Sequence, residues 1–350
     1  MELTDRKLKI LRAIIDDYIA TGIPVGSRTL SKMDDISCSS ATIRNEMADL
    51  EEMGYLVSPH TSAGRIPSDQ AYRLYVNTLM NISKIGPEDA KIIRQYFNSK
   101  MGEIEDIVET TAKALSEATK YVSMVLLPQL SEVQLRRIQI VKIMENKAMI
   151  ILVTNTGMIK DMVINISADM EEGHLDQLSN LLTARVRGLT LEEAVQSIDD
   201  LLHKDMKLQR SLIDDVISSL QKNLYSRGRK DVVLGGAQNI FYYPEYKNVD
   251  KAKNFLEALE TKDVLFSMLK KATNMEFTIS IGKENEQQPL QESSIVTATY
   301  KIGDNTIGSF GVIGPTRMNY GRVLSVLSYV GKSMNQILSY YLDHNPHDNE

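Results

Sequence analysis

Apolar residues recur at helical spacing near the start of the chain. Leu8, Leu11, Ile15 and Tyr18 share one face, Thr4 stands at an N-cap position, and Thr21-Gly22-Ile23-Pro24 stops the run. Gly26-Ser27 opens a second, short helix through Leu30 and Lys32, which Asp34-Asp35 breaks. Ser39 or Ser40 caps a third helix that runs to Met53 and ends at Gly54. On it Ile43, Met47 and Leu50 form the apolar face, while Ala41, Arg44, Asn45 and Ala48 look the other way. Two short strands follow, 55–57 and 65–66, joined by a loop of small polar residues, His60-Thr61-Ser62-Ala63-Gly64. Pro67-Ser68-Asp69 starts a fourth helix through Tyr72, Tyr75, Val76 and Leu79.

Gly86-Pro87 punctuates a linker. The patterning then predicts helices over 88–97 and 103–119 and strands over 121–127, 137–143, 148–153 and 158–166, with a turn at Asn155-Thr156-Gly157. From 171 to 225 the period is helical and includes Thr190-Leu191-Glu192-Glu193, which has capping-box spacing. Val233-Leu234-Gly235-Gly236 reads as a turn. Helices fill 249–272, strands return at 276–281, 295–302 and 306–313 around a Gly303-Asp304-Asn305 turn, and a long helix starts near Asn319. The simplest topology is α+β: a sheet domain interrupted by a mostly helical insertion. The boundaries drawn from this pattern are a reading unit at 1–82, a linker at 83–102, a sheet domain in two segments (103–168 and 237–342), an insertion at 169–236 and a tail at 343–350.

Three helices followed by a two-stranded ribbon is the winged-helix plan, in which the third helix enters a DNA major groove about 12 Å wide. The residue types suit that use. Arg44 can fork to guanine, Asn45 can bridge an adenine edge, and Ala41 and Ala48 are small enough for close approach. Ser39 and Ser40, at a helix start with free N–H groups, suit a phosphate. Thr61, Ser62 and Arg65 would line the wing, with Gly64 allowing a tight bend.

Charge complicates this picture. Residues 1–82 carry nine Lys and Arg against eleven Asp and Glu, and the whole chain has a net charge of −6, whereas a non-specific DNA binder is basic. Residues 58–68, however, hold Arg65 and His60 and no acid. Pattern and charge together leave DNA binding and an ordinary helical unit evenly balanced. No apolar run reaches the roughly 18 residues of a membrane helix, and the start lacks the features of a secretory signal. A single cysteine, Cys38, fits a reducing compartment, so a cytoplasmic location without membrane association is expected. Five scattered histidines without cysteine partners, no P-loop and no nucleophile elbow argue against a metal, a cofactor or an enzyme.

The runs Val25-Gly26-Ser27-Arg28-Thr29-Leu30, Ser39-Ser40-Ala41-Thr42-Ile43-Arg44-Asn45-Glu46-Met47-Ala48-Asp49-Leu50-Glu51, 60–68 and Tyr72-Arg73 strongly resemble the heat-inducible transcription repressor family HrcA. Asn239-Ile240-Phe241 and 308–318 resemble its C-terminal part. That resemblance implies an N-terminal winged helix, a GAF-like domain and an inserted dimerisation domain. It also implies repression of chaperone operons at an inverted-repeat operator in double-stranded DNA, with the chaperonin keeping the repressor active. Carried onto the matching positions, the DNA-binding set is Ser27, Arg28, Ser39, Ser40, Ala41, Thr42, Arg44, Asn45, His60, Thr61, Ser62, Gly64, Arg65, Tyr72 and Arg73.

A homodimer has a separate rationale, since two heads on a palindrome square the discrimination of one. The last helix offers Val323, Leu327, Val330, Met334, Ile337 and Tyr341 as a seam, although covering the sheet is its better-favoured role. Leu212, Ile213, Val216, Ile217, Leu220 and Leu224 in the insertion are a stronger interface candidate, or plain core. An alternative function is a ligand-sensing regulator, controlled by a small molecule in the GAF-like domain.

Overall fold

A computed structural model describes residues 3–59, 64–82, 84–98, 104–127, 134–155, 159–202, 216–218, 220, 232–271, 276–302 and 305–343. The chain is α+β. Helix α1 (Asp5–Thr21) begins where the Thr4 hydroxyl accepts the Lys7 N–H, and ends at Gly22, whose φ of 66° no β-carbon favours. Next come α2 (Ser27–Leu30) and α3 (Ser40–Glu52), then a ribbon of β1 (Leu56–Val57) paired antiparallel with β2 (Ile66–Pro67). Ile43, Met47 and Leu50 of α3 join Ile10, Leu11, Ile14 and Ile15 of α1 in one core. Helix α4 (Asp69–Leu74) does not run straight on to Leu79. Its last turn, Tyr75–Leu79, widens to π geometry, with the Met80 N–H donating to the Tyr75 carbonyl at 2.8 Å.

The segment expected to be a linker holds α5 (Pro87–Phe97), which is no loose connection. Ile93 is fully buried, and Asp89 accepts two hydrogen bonds from Arg322, at 2.9 and 2.8 Å. After α6 (Ile104–Thr119) and β3 (Val122–Leu126) the chain enters a second body: β4 (Leu135–Met144), β5 (Lys147–Thr154), β6 (Ile159–Asn165), α7 (Glu172–Val186) and α8 (Leu191–Leu202). It returns as β7 (Val232–Gly235), α9 (Val249–Glu260), α10 (Lys262–Lys271), β8 (Phe277–Ile281), β9 (Ser293–Ile302), β10 (Asn305–Pro315) and α11 (Tyr320–Asp343).

The main sheet has the order β7-β3-β10-β9-β8, antiparallel throughout. One face carries Val125, Val296, Ala298, Tyr300, Phe310 and Val312 into a core shared with α6, α11 and the N-terminal helices. The other face, with Met124, Leu126, Ile295 and Ile313, is covered by Phe255 of α9 and Leu265 of α10. Helix α11 therefore covers the sheet: Val323, Leu327, Val330 and Met334 are all buried there. Tyr341 belongs to the same helix.

Three sequence expectations need correction. The strands β4, β5 and β6 do not belong to the main sheet. They form their own meander, with a separate core of Ile138, Ile140, Ile150, Leu152 and the inner sides of α7 and α8. The insertion is accordingly mixed rather than mostly helical, and a boundary at 168–169 cuts through one core. The stretch 233–236 is no turn either, since β7 pairs with β3 and completes the main sheet, so the second sheet segment starts before 237. Its glycine serves proximity: a β-carbon on Gly235 would lie 2.6 Å from the Ala112 carbonyl oxygen of α6. Val216, Ile217 and Leu220 are buried in the insertion's core, which settles them as core. Leu212, Ile213 and Leu224 lie outside the described residues, as do Gly303-Asp304 and Thr156-Gly157.

Candidate nucleic-acid interface

Helix α3 starts as its sequence dictates. The Ser39 hydroxyl accepts the Thr42 N–H at 3.1 Å and lies 2.9 Å from the Thr42 hydroxyl. Ser40 is turned inward, with its hydroxyl 3.0 Å from that of Ser27, a brace between α2 and α3. With the apolar side of α3 packed on α1, Ala41, Arg44, Asn45 and Ala48 are left exposed, and so are Arg28 and Lys32 beside them. Neither the guanidinium of Arg44 nor the carboxamide of Asn45 has a partner among the described residues.

Position takes part of this unit's acid away from the exposed face of α3. Glu46 and Asp49 lie on the flank of α3 that faces α1, where Lys7 reaches them at 2.7 and 2.8 Å and Arg6 adds a longer contact to Glu46. Hydrogen bonds to Asp49 and then Glu46 hold the Lys7 ammonium above its ordinary pKa. Glu51 is taken by Arg65, whose Nε and terminal nitrogen lie 2.8 and 2.7 Å from one carboxylate oxygen. Three carboxylates of α3 are thus turned from the exposed face and neutralised. A uniform count of charges could not reveal this.

The candidate residues divide accordingly. Arg28, Ser39, Ala41, Arg44 and Asn45 share an exposed surface across α2 and α3. Ser27 is buried, and Ser40 and Thr42 are half-buried and spend their hydroxyls inside the unit. Arg65 is a ribbon strut, bonded to Glu51 and, at 3.1 Å, to the Ser58 hydroxyl. Gly64 is needed for a close approach to protein backbone: a β-carbon would sit 2.4 Å from the Val25 carbonyl oxygen, where Val25 and Arg65 exchange both main-chain hydrogen bonds at 2.9 Å. His60, Thr61 and Ser62 lie outside the described residues.

Two candidates are engaged by the sheet domain, Tyr72 buried and Arg73 half-buried. Tyr72 is 1% exposed and packs against Tyr320 of α11, with ring centroids 6.1 Å apart, because its helix face docks on the sheet domain. Arg73 donates through Nε to Glu284 at 2.8 Å and to the Ile279 carbonyl at 2.7 Å, so the sheet domain holds it. Both are corrected from DNA contacts to domain contacts. Residues that sequence reasoning missed are Lys7, which neutralises α3 from 39 positions upstream of Glu46, and Arg317, which bonds the Ile19 carbonyl of α1 at 3.3 Å. Neither has a local signal, because each acts across a tertiary contact.

A family model described as the HrcA protein C terminal domain matches residues 105–324, well over half of the chain. The chain belongs to the HrcA family. Relatives named heat-inducible transcription repressor HrcA agree along nearly the whole length. The protein from Ruminiclostridium cellulolyticum is 41% identical over 98% of this chain and 99% of its own. That from Acetivibrio thermocellus is 40% identical over 96% of each. A solved structure described as a hypothetical protein at 2.2 Å resolution shares the fold, with a TM-score of 0.61 at 22% identity, covering 97% of this chain and 99% of that one. Among the described residues no helix is long and apolar enough to cross a membrane, and no cluster of His, Cys, Asp or Glu could hold a metal ion.

Proposed function

We propose that this HrcA-family chain is a heat-inducible transcription repressor that binds an inverted-repeat operator as a homodimer. In this reading residues 3–82 are a winged helix, with α3 as the recognition helix and β1–β2 as the wing. The main sheet with its flanking helices is the GAF-like domain, and the second body is the dimerisation insertion. The observation that carries the reading is the exposed, unpartnered pair Arg44 and Asn45 on a helix three of whose acids, Glu46, Asp49 and Glu51, are paired away from that face. A guanidinium and a carboxamide one residue apart are a base-reading set for guanine and adenine.

Dimerisation draws support from the outer face of the insertion's meander. Val141, Ile143, Ile159 and Val163 are each more than two-fifths exposed there. The register sets Val141, Met149 and Val163 in one cross-strand row and Val153 beside Ile159 in another. Apolar rows facing water mark an interaction surface. Control by the chaperonin of chaperone-operon repression, in the cytoplasm, completes the proposal on the strength of family membership.

Replacing Arg44 by alanine tests the base-reading role. The variant should lose about 1–3 kcal/mol of discrimination between the operator and an unrelated duplex, measured by competition gel shift, with its oligomeric state unchanged. Undiminished discrimination would remove Arg44 from the interface. The small-molecule alternative has one feature in its favour. The hydroxyls of Thr278 and Thr297, opposite one another on β8 and β9, are buried without hydrogen-bond partners. Saturable metabolite binding in calorimetry, abolished by Thr297→Val, would promote it.

A further inference from the structure

We infer that Arg73 and Arg317 are positioning residues for DNA binding: two reciprocal guanidinium clamps that fix the angle of the N-terminal head on the sheet domain. The inference rests on the reading of α3 as the recognition helix and of the chain as a dimer.

The clamps point in opposite directions and differ in build: both partners of Arg73 lie across the junction, whereas Arg317 is braced by a carboxylate of its own domain and reaches across with one bond. Arg73 projects from α4 of the head and grips the sheet domain. It divides its donors between the Glu284 carboxylate and the Ile279 carbonyl, while Glu284 is itself anchored by the Ile281 N–H at 2.9 Å. Arg317 projects from the sheet domain and grips the head. The Glu245 carboxylate, in the same domain, fixes the guanidinium, and one terminal nitrogen donates at 3.3 Å to the Ile19 carbonyl in the last turn of α1. The Arg317 guanidinium also lies 5.9 Å from the centroid of the Tyr243 ring. A planar fork that meets a carboxylate and a carbonyl together constrains direction as well as distance, which a lysine would not.

Neighbouring groups give the contact little room. The Asp69 carboxylate accepts the Lys283 N–H at 3.1 Å, and a β-carbon on Gly282 would lie 2.2 Å from that carboxylate. A β-carbon on Gly22 would come within 3.1 Å of the Arg317 guanidinium carbon, and one on Gly321 within 2.8 Å of the Asn81 carbonyl oxygen. The buried rings of Tyr72 and Tyr320 meet at the same junction. With both clamps engaged, Arg44 and Asn45 remain exposed, so the clamps do not compete with DNA for the reading face.

The consequence concerns two heads rather than one. Half-sites of a palindrome are presented at a fixed spacing and rotation, and a head free to swing must lose that freedom when the second half-site is engaged. A single half-site asks nothing of the angle. Loosening a clamp should therefore weaken binding to the complete inverted repeat and leave half-site binding alone.

The test compares full-length wild type, Arg73→Ala and Arg317→Ala on two duplexes: the inverted repeat selected by the wild-type protein from random DNA, and one half of it. Fluorescence anisotropy at constant salt gives both affinities. Each variant should lose roughly tenfold on the complete repeat, the scale of a lost effective concentration, and less than about twofold on the half-site. If Arg73→Ala does not fold, Arg73→Lys, which keeps the charge but not the fork, should show the same split. Equal losses on both duplexes, no loss, or tighter binding to the complete repeat would overturn the inference. If the wild type selects no duplex, the DNA-binding reading itself falls, and the clamps' role with it.

Discussion

Ser39 and Ser40 are neighbours in sequence with different tasks. Ser39 caps α3 through the Thr42 N–H, while Ser40 braces α3 to α2 through Ser27. Either could have been the cap, because both suit the position and their difference lies in which way the backbone enters the helix. Ser39→Ala should lower stability by about 1 kcal/mol, read as a lower midpoint in urea, with the oligomeric state unchanged; an unchanged midpoint would deny the capping role. Other local signals were legible at once. The Thr190 to Glu193 spacing does make a capping box: the Glu193 carboxylate accepts the Thr190 N–H at 2.8 Å and its hydroxyl at 2.9 Å, and these bonds hold its pKa below the ordinary value. Arg44 and Asn45 were legible as an outward pair because helical periodicity assigns sides. Arg65, Tyr72 and Arg73 were not. A cation or a tyrosine beside a family motif looks the same in sequence whether it meets DNA, a carboxylate of its own unit or another domain.

Among elements, the strands of alternating pattern and the long amphipathic helices were readable to within a few residues. Alternation and the 3.6-residue period are consequences of burying one side. Strand β7 was misread because its glycines looked like punctuation. Gly235 is there so that α6 can lie against the strand, and Gly236, with a φ of 64°, ends it. Gly311 in β10 is the same device in a central strand: a β-carbon would sit 2.3 Å from the Val296 carbonyl oxygen. Gly311→Ala should therefore destabilise the chain by about 1–3 kcal/mol, as overpacking does, seen in thermal melts. A melting temperature equal to the wild type would show that the strands can part without cost. The widened turn at Tyr75–Leu79 is another feature that hydrophobic spacing cannot express, because it changes the backbone's closure and not its polarity.

The molecule as a whole has its insertion on a core of its own, with the head and the main sheet sharing another. The edge strand β4 is sealed from within: hydroxyls of Ser179 and Thr183 on α7 accept the Ile140 and Ile138 N–H groups, at 2.9 and 3.1 Å. What the insertion leaves open is the outer face of its meander. In the proposed dimer, Val163→Glu on that face should shift the equilibrium to monomer in analytical ultracentrifugation and abolish binding to the complete operator, while leaving the insertion folded. A variant that remains dimeric would move the interface elsewhere. Sequence alone determined the α+β class, most helices and strands, the exposed Arg44–Asn45 pair and, through long motif runs, the family, because all of these are written in local order and spacing. Tertiary structure alone decided which sheet each strand joins, which acids of α3 are neutralised, and which cations are struts or clamps. Those outcomes depend on contacts between residues from about 14 to nearly 300 positions apart, and no local pattern encodes a partner at that distance.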